Sequence, residues 1–168
     1  MPESVTLVER ETLLSTLNNQ REHVLGILEG VPEGALRQSV LPSGWTPLGL
    51  IQHLALDVER FWFRVVMAGK SIDAAEYSAP SGWTVAPDVA SEAVFDLYRR
   101  EIELANAIIV ETSLDTVPAG WPEGLFGSWR LRDLRELILH VITETAVHAG
   151  HLDVVRELID GRQWLVLG

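Results

Sequence analysis

This 168-residue sequence predicts an all-α fold, a four-helix bundle with long loops between helices two and three and between helices three and four. Three observations predict it. Apolar residues recur at three- and four-residue spacing in four segments of roughly 22 to 30 residues. Pro, Gly and capping residues separate those segments where helices start and stop. No stretch alternates apolar and polar residues over the length of a strand. Amphipathic helices of this length bury their stripes most simply against one another. The chain is long enough for one well-buried core and too short for two, so one domain over residues 1–168 is expected.

Helix one is expected from about Val5 to Val31, where Leu13, Leu17, Val24 and Leu28 mark the stripe and Pro32 and Gly34 break it. Helix two is expected from Pro47 to Ala68, with Thr46 as N-cap, Pro47 in the first turn and Gly69 as the stop. Ser71 to Pro87 contains YSAPSGW and no helical period, which reads as a long loop of the kind that often belongs to a site. Helix three covers about Asp88 to Thr112, started by Asp88 or Ser91. The connection SLDTVPAGWPEGLFGSW then leads to helix four, from about Arg130 to Ile159, stopped at Gly161.

Composition excludes several functions. A formal charge of -11 makes the average surface repel phosphate backbones and anionic headgroups, and no basic run exceeds the pair Arg99 and Arg100. Neither nucleic acid nor a membrane is therefore an expected partner. MPESVTLVERETL lacks the basic and apolar regions of a signal peptide, and no apolar run reaches the length of a spanning helix, so a cytoplasmic location is expected. With no cysteine, the chain has no disulfide, no thiolate ligand and no thiol nucleophile of its own.

The chemistry concentrates in HVITETAVHAGHLD, His140 to Asp153. At about 100° per residue, Leu137, His140, Glu144, His148, His151 and Val155 fall within about 40° of one direction, a stripe expected to face the interior. A buried carboxylate needs a partner, and a divalent cation explains a carboxylate and an imidazole one turn apart, Glu144 and His148. One helix supplies only part of a coordination shell, and His53 of helix two is the candidate third ligand. The alternative is a set of core histidines hydrogen-bonded to backbone carbonyls. His23 falls off the stripe of helix one and is expected to be solvated.

GWTPLGLIQHLALDVERFWF and LRELILHVITETAVHAGHLDVVRELIDG resemble the DinB/YfiT-like superfamily of metal-binding four-helix bundles over nearly the whole chain. The resemblance is closest to the actinobacterial branch related to mycothiol-dependent maleylpyruvate isomerase and mycothiol S-transferases. It implies metal ligation by His53, Glu144 and His148. His140 and His151 are then expected to orient ligands or contact substrate, or else to be structural, and Asp153 and Arg156 to position neighbouring elements or the site, or else to form an ordinary ion pair. The sequence ends at Gly168 and is expected to lack the extra C-terminal domain that contributes to the active site of maleylpyruvate isomerase, which counts against isomerase activity.

Two imidazoles and a carboxylate leave coordination positions open for catalysis. Zinc is the expected metal, with nickel or iron as alternatives, because the same ligand types serve non-haem iron. A metal-bound thiol favours its thiolate form, and the resemblance implies mycothiol as the low-molecular-weight thiol attacking a small electrophile in detoxification. It also implies a homodimer. Trp45, Trp83, Trp121 and Trp129 fall in or beside the connections, with Trp62 in helix two and Trp164 in the tail. They could wall an apolar electrophile site or cap the ends of the core. A metal-dependent hydrolase and a non-enzymatic metal-binding stress-response bundle are the competing functions.

Overall fold

The computed structural model describes residues 3–71 and 82–164, and among them every regular element is helical. Helix α1 (Glu3–Ile27) buries Leu17, Arg21, Val24 and Ile27, a helical stripe with one arginine in it. It stops short of Val31 because the chain turns at Gly30, whose φ of 76° suits a residue without a Cβ. The expected break at Pro32 opens a further turn of helix, α2 (Glu33–Leu36), since proline needs no N–H partner at a helix start.

Helix two of the sequence reading has the expected span and a different winding. Its first part is α3 (Pro47–His53), capped by Thr46, whose hydroxyl accepts from the Gly49 N–H at 3.0 Å. From Leu54 to Met67 the chain is wound as a π-helix. At its end the Ala68 N–H bonds the Phe63 carbonyl, five residues back, at 3.0 Å. Gly69, with φ of 63°, then stops it. Such wide turns are rare and tend to occur at functional sites, and this one begins directly after His53.

Helix α4 (Ser91–Glu111) starts at the later of its two expected positions and buries Val94, Tyr98, Glu101, Ala105 and Ile109. The connection beyond it returns to the end of the π segment, where the N–H groups of Ala119 and Gly120 bond the carbonyls of Met67 and Val66. A Cβ on Gly120 would lie 2.5 Å from the Val65 carbonyl oxygen, so this approach requires glycine. Helix α5 (Leu134–Asp160) begins four residues later than Arg130 because Asp133 is its cap, accepting from the Glu136 N–H at 2.9 Å. The N–H groups of Leu134 and Arg135 bond carbonyls of Thr116 and Leu114 in the same connection. Gly161, at φ 78°, ends α5 as expected.

The most extensive packing joins α1 to α5 and the π segment to α4, with α5 also against the π segment. Two buried ionic clusters lie within the core. Arg21 makes a bidentate contact to Glu59, at 2.7 and 2.6 Å, and its remaining nitrogen donates to Asn18 and Asn106. Glu101, fully buried, accepts from Arg60 and Arg64. Among the described residues, no helix is long and apolar enough to cross a membrane.

Of the loop expected over Ser71–Pro87, residues 72–81 lie outside the described residues. Its later part is held by Gln52, whose amide donates to the carbonyls of Gly82 (3.3 Å) and Thr84 (2.9 Å) and so seats Trp83 beside α3.

Candidate functional site

His53 is the last residue of α3, and Asp57 follows it by one turn in the π segment. The His53 Nδ1 lies 2.9 Å from Asp57 Oδ2, so the Nδ1–H donates to the carboxylate and Nε2 is the ring nitrogen left for another partner. Trp83 stacks on the imidazole, with centroids 4.0 Å apart and planes at 18°. One residue is thus held by a hydrogen bond and a stacked ring. His–x–x–x–Asp spacing in the sequence was the available signal for this pair, and sequence reasoning gave Asp57 no such role.

His148 comes from α5 and meets His53 edge to face, with centroids 5.1 Å apart. Burial, and then the neighbouring His53 and His151, lower its pKa from 6.5 to about 4, so it is a neutral base at ordinary pH. Its Nε2 is 3.8 Å from Glu144 Oε2, too far for a hydrogen bond, and the Glu144 side chain is 41% exposed. His140 lies a turn earlier between Trp62 and Trp129, at centroid distances of 4.5 and 5.3 Å. Burial lowers its pKa against the opposing pull of Glu144.

The stripe does not face squarely inward. The fully buried positions Leu134, Val141, Thr145 and Leu152 centre about 80° around α5 from Glu144. His148 is on the near edge of that buried face, whereas Glu144 and His140 are half-buried on its flank and His151 is exposed. The expectation of an inward His151 is corrected accordingly. Among the described residues its ring contacts are with His148 and Trp45. The flanking position is what allows a site open to solvent, since a carboxylate at the centre of the buried face would be desolvated.

Asp153 and Arg156 lie outside this group. Asp153 bonds His23 of α1 at 2.7 Å, and His23 stacks on Trp164, so the expectation that His23 is solvated is also corrected. The reason is tertiary, because α5 brings an acceptor 130 residues away. Arg156 bonds Asp160 and the carbonyls of Ile27 and Glu29, pinning the end of α1 to α5. These two residues fasten helices and do not pair with each other.

Beside the imidazoles is a cavity of about 350 Å³. Its polar lining is His53, Asp57, His140 and Glu144, and its apolar lining is Val58, Phe61, Trp62, Phe126 and Trp129. Sequence reasoning missed Phe126, which only the return of the connection brings to the π segment.

His53, His148 and Glu144 offer the donor types of a two-imidazole, one-carboxylate metal site, and Asp57 holds His53 in the orienting manner typical of a ligand histidine. Among the described residues, however, no three His, Asp or Glu side chains stand close enough to hold a metal ion as they are arranged. The donors fit in kind, and the Glu144 carboxylate, partly exposed, is the one with room to move.

A family model described as mycothiol-S-transferase matches residues 12–161. The chain belongs to the mycothiol-S-transferase family. The match spans the whole site, from His53 and Asp57 to His148. Searches of curated proteins and of solved structures return no match. For a mycothiol-S-transferase family member without cysteine, the attacking sulfur has to come from a separate thiol.

Proposed function

We propose that this protein is a metal-dependent S-transferase that joins mycothiol to small electrophiles in cytoplasmic detoxification. The observation that carries the proposal is the meeting of His53 and His148, flanked by Glu144, at an aromatic-walled cavity in a chain of this family. In the transfer, the thiol sulfur forms a bond to the electrophilic carbon as that carbon's bond to its leaving group breaks. The leaving group departs with its electron pair, and the thiol proton passes to solvent.

His53, Glu144 and His148 would hold the metal, with zinc favoured and nickel or iron as alternatives. A cation bound there favours the thiolate form of a coordinated thiol. Asp57 accepts the His53 Nδ1–H, the arrangement that leaves Nε2 as the ligating atom, and burial keeps His148 neutral. Trp62, Phe126 and Trp129 exclude water from the reacting groups.

The test is metal analysis of the purified protein, followed by consumption of mycothiol with a generic alkylating electrophile. Stoichiometric metal, metal-dependent thiol consumption and loss of both in His148→Ala are expected. Bound metal with turnover that needs no thiol would make the protein a hydrolase. Bound metal with no turnover would leave a non-enzymatic bundle, and unchanged metal in His148→Ala would refute the ligand assignment.

The wider reading is a single four-helix bundle domain that forms a homodimer. Leu139, Val147 and Val154 form an exposed apolar stripe along α5, away from its buried face, which supports pairing with a second copy. Val147→Glu should shift the sedimentation mass from dimer to monomer, and a wild-type monomer would refute the pairing.

A further inference from the structure

We propose that the cavity between the π segment and α5 is an acceptor chamber for planar aromatic rings, one or two fused rings in size, that are neutral or cationic while no metal is bound. That the bound ring carries the electrophilic carbon rests on the S-transferase reading above, whereas recognition of the ring does not.

The chamber's lining is of two kinds. In the apolar lining, Trp62 and Phe126 stack with centroids 5.5 Å apart and planes at 22°. Trp129 meets both rings edge-on, at 5.9 Å to Trp62 and 5.6 Å to Phe126. These rings come from two segments more than 60 positions apart, and they present both faces and edges. A further flat ring continues that alternation through offset or edge contacts, which a saturated ring of the same volume cannot make. The cavity of about 350 Å³ is at the small end of ligand pockets, which sets the size.

The polar lining sets the charge. Among the described residues, Asp57 and Glu144 are the ionisable acids in it, and no lysine or arginine lines the cavity. The nearby Arg130 guanidinium is turned away onto the Trp121 ring, at 5.1 Å, and onto the carbonyls of Gly127 and Trp129. While no metal is bound, a carboxylate or sulfonate on the ligand faces two like charges inside a chain of formal charge -11. His140, wedged against Trp62 and Trp129, can hydrogen-bond a ring substituent.

The test uses unreactive probes on chelator-treated protein, with neither thiol nor metal, so its outcome is separate from that of the transferase assay. Binding of 2-naphthalenemethanol, its decahydro counterpart and 2-naphthoate is measured by isothermal titration calorimetry on the full chain. The neutral aromatic probe should bind about tenfold more tightly than either of the others, and Trp129→Ala should weaken it by about tenfold. Trp129 is 43% exposed, so its truncation should leave the circular dichroism spectrum and melting curve intact. Phe126→Ala, changed in the same connection, provides a second variant with the same expected loss. Equal binding of the saturated or anionic probe, no binding of the aromatic one, or unchanged affinity in both variants would overturn the proposal. Aromatic selectivity in a protein that consumes no mycothiol would uphold the chamber and refute the transferase reading alone.

Discussion

Gly82→Ala tests how the candidate metal ligand His53 is held, without touching His53. A Cβ at position 82 would lie 1.9 Å from Asp57 Oδ2 and 2.7 Å from its Cγ. Ordinary contact begins near 3.4 Å, so the carboxylate must retreat by about 1.5 Å. The Asp57 side chain is 41% exposed and can swing into solvent, which makes the retreat cheap for the fold. It is not cheap for His53, whose 2.9 Å hydrogen bond to Asp57 would stretch beyond hydrogen-bonding distance. Loss of a carboxylate that orients a ligand histidine costs about 10- to 100-fold in metal affinity or activity, or about 1.4 to 2.7 kcal/mol. The assay is metal titration against a competing chelator for Gly82→Ala, Asp57→Ala and the double variant. All three should lose affinity equally, because the two substitutions remove the same bond. The melting temperature of Gly82→Ala should fall by no more than about 2 to 4 °C, the shift for roughly 1 kcal/mol in a chain of this size. Wild-type metal affinity in Gly82→Ala, or additive losses in the double variant, would refute the reasoning.

Two further outcomes follow from the buried groups. His148 has a folded-state pKa of about 4 against an ordinary 6.5, so the unfolded chain takes up this proton first as pH falls. The metal-free protein should therefore lose stability as pH drops below 6.5, with the contribution ending near 4. Urea midpoints across that window should slope less in His148→Gln, and an unchanged slope would show that His148 is not the group responsible. Glu59→Ala strands the Arg21 guanidinium at 2% exposure, which costs about 3 to 5 kcal/mol and should lower the melting temperature by at least about 6 °C. The apolar pair Arg21→Met with Glu59→Leu should recover most of that loss in the same thermal scan. A single-variant cost below about 1 kcal/mol would mean that water replaces the missing carboxylate.

Helix ends that depend on residues within one turn were legible in the sequence. Thr46 caps α3, Gly69 stops the π segment and Gly161 stops α5, each where the local pattern puts it. The start of α5 was misplaced because Asp133, and not Arg130, has the carboxylate that can take a first-turn N–H. The spacing of His140, Glu144 and His148 along one side of α5 was equally legible, since it follows from helical geometry alone.

Which side of α5 becomes interior was not a local matter. It depends on the apolar surface that α1 and the π segment offer, and the outcome rotated the buried face about 80° from Glu144 and left His151 exposed. That rotation gives the site its opening. Tertiary packing also brought Asp153 to His23, Glu59 to Arg21, and Phe126 with Trp129 to Trp62. The sequence by itself therefore determined the helices, their caps and the types of donor they carry. Only the tertiary structure decided which of those donors share a cavity and which fasten helices, because burial is summed over contacts between segments that no local pattern relates.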